Sequence, residues 1–142
     1  FLGIFITMIP ALIYLRANSA QLGLITQQQF FYATGTLSSF LDNAPTAIVF
    51  HSLALGLKSQ FDVLFAGNAI VAGIPVDLLK AISVGSVFFG AMTYIGNGPN
   101  FMVKTIAEEN KIRMPDFFSY ILKFSIIILL PIFILVQLIF MS

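Results

Sequence analysis

Ser38-Ser39-Phe40-Leu41-Asp42-Asn43-Ala44-Pro45-Thr46 decides the fold: hydroxyls, a carboxylate and an amide are gathered inside an apolar run. The flanking arms are similar in length, Gln29–Leu41 with 13 residues and Thr46–Leu57 with 12. A helix needs about 20 residues to cross a bilayer, so neither arm spans alone. Short arms about a polar break predict a re-entrant helical hairpin over residues 29–57, entering and leaving on one side. Broken backbone at membrane depth must be covered by protein or line a water-filled cavity, because lipid offers its N–H and C=O groups no partner. Pro45 suits the first turn of the returning arm, where its missing N–H is not needed. An ionisable Asp42 in such a place is costly and calls for a function, here the binding of a cation or proton. The plainer alternative is that Asp42 or Asn43 caps the second arm at the membrane surface. Ser38-Ser39 beside it and the matched short arms weigh against that.

Composition agrees with a membrane setting. Of 142 residues, 58% are hydrophobic and 9% charged, against about 25% charged in soluble domains. The mean hydropathy is +0.98. A net charge of +1 leaves no basic surface for nucleic acid. The absence of cysteine excludes a disulfide framework and a thiolate metal site.

Working outward, residues 1–16 read as the end of a membrane helix, and Thr26 as a helix N-cap. The opening apolar run carries no basic leader, and the chain is expected to be one half of a longer protein. Lys58 to Lys80 reads as a connection with short interfacial pieces. Residues 81–103 are uncharged and long enough to span, but Ile95-Gly96-Asn97-Gly98-Pro99-Asn100 cannot be continuous helix. Such a break leaves free carbonyls on one side, which attract a small cation, and free N–H groups on the other, which attract an anion. A glycine kink that only permits close packing is the alternative. Residues 104–115 form an amphipathic segment ended by Pro115, and residues 117–142 are the clearest span, with Pro131 expected to kink it. Gly35/Ser39 and Ser86/Gly90 are small-xxx-small pairs that let helices approach closely. Lys104, Lys111, Arg113 and Lys123 place their side in the cytoplasm by the positive-inside tendency, so the hairpin enters from outside. Arg16, Lys58 and Lys80 read as interfacial anchors, and Glu109 with Arg113 as a solvated i,i+4 helix pair.

Residues 38–46, followed by Thr93-Tyr94-Ile95-Gly96-Asn97-Gly98-Pro99-Asn100, resemble the ion transporter superfamily of sodium:proton antiporters, citrate and dicarboxylate carriers and arsenite pumps. With Thr7-Met8-Ile9-Pro10-Ala11-Leu12, the resemblance is closest to citrate-transporter-like membrane proteins, often called sodium:proton antiporters, and covers nearly the whole chain as a C-terminal half. It implies an all-α membrane protein with a re-entrant hairpin and a discontinuous helix, one half of an inverted-repeat transporter. Its partners would be the lipid bilayer, the missing N-terminal half and a second copy in a homodimer, in a bacterial inner membrane. By motif, Ser39, Asp42, Asn43, Pro45 and Thr46 match the hairpin tip. Thr93, Gly96, Asn97, Gly98, Pro99 and Asn100 match the broken helix. No cofactor is implied beyond the transported sodium or protons.

The sequence departs from the sodium-coupled dicarboxylate carriers in lacking a contiguous Ser-Asn-Thr tip. An acidic tip repels a carboxylate unless a cation intervenes. The reading therefore leans to sodium:proton antiport, with Asp42 alternately protonated and sodium-bound. Uptake of citrate or another small carboxylate, coupled to sodium or protons, is the alternative. A hydrolase pairing His51 with Ser38, Ser39 or Ser52 lacks any supporting motif, so no enzymatic activity is expected. A purely structural subunit would leave the buried polar groups without purpose.

Overall fold

A computed structural model describes residues 2–141; Phe1 and Ser142, at the ends of the first and last expected segments, lie outside them. The helices α1 (Leu2–Ala17), α2 (Gln27–Ser38), α3 (Asn43–Gly56), α4 (Phe61–Leu64), α5 (Val76–Phe89), α6 (Gly98–Glu109), α7 (Phe117–Tyr120) and α8 (Leu130–Phe140) follow in order. From α7 to α8 the helix is unbroken, and its middle, Ile121–Leu129, is π-helical. Among the described residues, this Phe117–Phe140 helix is the one long and apolar enough to cross a membrane.

Three helix starts are explained by their capping residues. Thr26 caps α2 as expected: its hydroxyl accepts from Gln29 N at 3.2 Å, and the Gln29 side chain accepts from Thr26 N at 3.1 Å. Asp42 caps α3 and Pro45 falls in its first turn. Asn97 caps α6, and Pro99 lies in the turn that follows. At about 1.5 Å per residue, α2 and α3 are about 18 and 21 Å long, well short of a bilayer core of about 30 Å. The expected helix–break–helix pattern is therefore present, with the break at residues 39–42.

The second interruption is drawn differently from the expected boundaries. Helix α5 starts at Val76, ahead of Lys80, passes through a 3₁₀ turn at Gly90–Met92, and gives way to unwound chain at residues 93–97. Helix α6 then runs without a break through Lys104. The amphipathic segment and the second arm of the broken span are thus one helix. Because α6 stops at Glu109, Glu109 and Arg113 lose the i,i+4 relation that would have paired them; the pair that forms is Lys104–Glu108, at 2.6 Å.

The 58–80 connection carries a two-stranded hairpin, Ile70–Val71 with Ile74–Pro75, not expected from the sequence. Its turn has positive φ at Ala72 (53°) and Gly73 (83°), the geometry of a type I′ turn. His51 on α3 bonds to the Ala72 carbonyl at 3.0 Å, so its ring holds this hairpin. Pro131 follows directly after the π-helical stretch, where Leu130 N reaches back to Ser125 O. The wider π turn absorbs the proline at a change of helix type.

The core lies where α2, α3 and α5 meet, around Phe30, Phe31, Leu53, Ala54, Leu78, Ala81, Ile82 and Phe89. The most extensive packing is α2 against α5, and small residues allow it. A Cβ on Gly35 would come 2.5 Å from the Phe89 ring, and one on Gly85 would come 2.7 Å from the Phe31 carbonyl oxygen. The small-residue spacing seen in the sequence therefore brings α2 and α5 nearly backbone to backbone. Gly85→Ala is predicted to destabilise by about 1–3 kcal/mol, as overpacking does. Gly98→Ala, whose Cβ would meet nothing within 4 Å, is predicted to leave stability unchanged. Apparent melting midpoints of the purified intact protein in detergent check the contrast.

Candidate functional site: the junction of two helix breaks

The break after α2 and the break after α5 meet. Their contact is made by polar side chains that satisfy backbone groups neither helix can satisfy itself. Ser38 is fully buried, and its hydroxyl donates to Ser86 O on α5 at 2.5 Å. Ser39 Oγ lies 3.0 Å from Gly35 O and 3.2 Å from Phe89 O, one hydrogen shared between two carbonyls. Thr93 returns the contact: its hydroxyl donates to Ser39 O and accepts from Gly96 N at 2.9 Å. Asn100 spans the second break, its Nδ2 3.4 Å from both Gly90 O and Thr93 O.

Asn43 sits at the centre. With its amide nitrogen turned inward, that nitrogen donates among Ser38 Oγ at 2.9 Å, Ser86 O at 2.9 Å and Gly96 O at 3.2 Å. The orientation follows from proton counting. Ser38 has one hydroxyl hydrogen, already given to Ser86 O, so it must accept from Asn43. A single amide thereby ties the start of α3 to α2, α5 and the 93–97 segment. Gly90 makes the approach possible, since any Cβ there would collide with the Asn43 amide. Gly96 does the same for the backbone. Its missing Cβ would lie 2.7 Å from Ser39 O, 2.8 Å from Gly90 O and 2.9 Å from Ser38 O. Carbonyl oxygens from both breaks therefore pack against one face of Gly96, where no side chain could be accommodated.

The motif residues divide into those inside this junction and those beside it. Ser39, Asn43, Thr93, Gly96 and Asn100 are inside. Asp42 is exposed, and its carboxylate accepts from the adjacent Asn43 N at 2.9 Å. It lines, with Met8, Leu37, Pro45 and Val49, a cavity of about 340 Å³ between the tip and α1. Thr46 is buried and its hydroxyl returns to Asp42 O at 3.0 Å. Asn97 accepts from Asn100 N at 3.2 Å as the cap of α6. Gly98 is exposed and makes no close approach. Pro45 and Pro99 shape the two restarting helices.

The final helix also reaches the junction. Tyr120 donates to Ala91 O at 3.0 Å, and Ser125, fully buried within the π-helical stretch, donates to Met92 O at 2.5 Å. Carbonyls freed at the end of α5 are thus met in turn by Asn100, Tyr120, Ser125 and again Asn100. Sequence reasoning placed neither Tyr120 nor Ser125 in the site. Ser125 was nonetheless visible as an isolated hydroxyl in the middle of an apolar span.

Two helix breaks that close each other's backbone suit the discontinuous helices of membrane carriers. The chain belongs to the family described as "Putative citrate transport", whose sequence profile matches residues 1–141. It is accordingly a membrane protein of a transport family, as the motifs suggested. No curated protein and no solved structure matches it.

Asn43→Asp keeps the size of the side chain but replaces the inward donor with an acceptor facing Ser86 O and Gly96 O. It is predicted to destabilise by about 1–3 kcal/mol, the cost of buried polar groups left unpaired. Asp42→Asn, altering an exposed side chain, is predicted to cost under about 0.5 kcal/mol. Thermal unfolding of both variants in detergent checks the order, which reverses if Asp42 is the structural hub.

Proposed function

We propose that this chain forms half of a secondary transporter for citrate or a related small polycarboxylate, coupled to sodium or protons. Family membership supports the carboxylate over the antiport reading favoured by the sequence. Behind the proposal stands the meeting of two helix breaks, whose backbone carbonyls and polar side chains (Ser38, Ser39, Asn43 and Thr93) are gathered at one junction. Hard cations take oxygen ligands, and a cation held there would offset the charge of a bound carboxylate.

In this reading α2–α3 is a re-entrant hairpin and α5–α6 a discontinuous span. The remainder of the site comes from an inverted repeat outside this chain, in a multi-pass protein of a bacterial inner membrane that works as a homodimer. Asp42 neighbours Asn43 at the tip, so a cation is needed to offset its charge when a carboxylate binds at the junction. Its exposed carboxylate, open to the cavity beside α1, favours a second role: the protonatable or sodium-binding group that couples the cycle. That same exposure keeps sodium:proton exchange through Asp42 as the competing function.

Labelled citrate accumulation by the intact protein in proteoliposomes, driven by an inward sodium or proton gradient, tests the proposal. Accumulation above protein-free vesicles is expected, with the cation dependence of uptake weakened in Asp42→Asn. A pH-sensitive dye responding to sodium alone, with no citrate uptake, would overturn it in favour of antiport.

A further inference from the structure

Helix α6 presents one continuous polar line leading away from the junction. Asn100 follows the cap Asn97 by three residues, and Lys104 and Glu108 follow at intervals of four, so they stack along a single face. Phe101, Met102, Val103 and Ile106 are exposed apolar residues on the same helix. Lys104 is the cation on this line, one turn beyond the Asn100 amide that spans the break. Its side chain is only 21% exposed. The ammonium lies 5.4 Å above the ring of Tyr94 and 2.6 Å from Glu108 Oε1. Tyr94 is itself fixed, donating to Pro115 O at 3.1 Å and packed on Tyr120 at 4.4 Å between centroids. Lys104 also borders an almost wholly apolar cavity of about 250 Å³, with Tyr94, Ile95, Phe101, Asp116 and Phe117. At the far end, Glu108 borders a second cavity together with Lys111 and Arg113.

We propose that Lys104 is a specificity-determining residue that receives a carboxylate of the substrate, with Glu108 standing in for that carboxylate while the site is empty. The inference deepens the polycarboxylate reading above and rests on it. An anion passing between the break and the Lys111–Arg113 end of the line displaces the Glu108 oxygen from the Lys104 ammonium. The exchange replaces one charge-assisted hydrogen bond with another, so the ammonium is never left unpaired. Glu108 is 47% exposed against 21% for Lys104, so the carboxylate swings into water while the ammonium stays fixed over Tyr94. Because the interaction is ionic, the contribution of Lys104 grows with substrate charge.

The test is uptake kinetics of the intact protein in proteoliposomes with citrate, a dicarboxylate and a monocarboxylate. Wild type is compared with Lys104→Gln, Lys104→Arg and Glu108→Gln. Lys104→Gln is expected to raise KM for citrate roughly tenfold or more, with smaller effects as substrate charge falls. Glu108→Gln is expected to lower KM about two- to fivefold, because the competing carboxylate is gone. Lys104→Arg is expected to retain most of the affinity for citrate, which separates charge from packing. If wild type accumulates citrate while Lys104→Gln leaves its KM unchanged, the proposal falls alone. The same holds if Glu108→Gln raises KM as Lys104→Gln does, since the pair is then only a structural brace. If wild type accumulates none of the three, the transport reading fails and takes the proposal with it.

Discussion

One amide organises this structure. Wherever a helix is interrupted inside a low-dielectric setting, backbone N–H and C=O groups lose their partners, at a cost of a few kcal/mol each. Here two interruptions are placed against each other so that the side chains of one complete the backbone of the other. Asn43 is the central member because an amide nitrogen donates twice, and Ser38, Ser86 and Gly96 all offer oxygens to it. Ser39 and Thr93 repeat the exchange in opposite directions. Fine positioning of α2 against α5 follows from that requirement, and the bare faces of Gly35, Gly85, Gly90 and Gly96 let it be met.

A site assembled this way has a built-in capacity for change. Its bonds join separate helical pieces, so shifting one piece breaks a discrete set of contacts rather than straining a continuous rod. The π-helical stretch at Ile121–Leu129 places Ser125 against Met92 O, linking the final helix to the same junction. Interruptions of this kind recur at functional sites because they supply polar groups where an ordinary helix has none to spare.

Much of this was legible in the sequence, and the reasons are local. Asp-Asn-Ala-Pro after an apolar arm marks a helix end and restart whatever the surroundings, and so does Asn-Gly-Pro-Asn. Thr26 with Gln29 forms a capping box that depends on no tertiary contact. The identity of the hub was not legible. Asp42 attracted attention through its charge, whereas the inward-facing residue is its neighbour. A one-residue shift at a helix start turns a side chain by about 100°, which sequence spacing alone does not resolve. The amphipathic character of α6 was legible, but not its limits: it starts at Gly98, ahead of the expected boundary at Lys104, and stops at Glu109. Tyr120 and Ser125 reach the junction across long sequence separation, and only the packing of the final helix reveals them.

Transport of the proposed kind requires substrate to be held at the junction of the two breaks. Ala44 lies on the exposed side of the tip, next to Asn43. Placing a cysteine there in the intact protein, with any cysteine outside these 142 residues replaced, and timing its modification by a membrane-impermeant thiol reagent addresses the claim directly. Modification is expected to proceed from water and to slow markedly when citrate and sodium are present together. A rate indifferent to both, with transport intact, would contradict it.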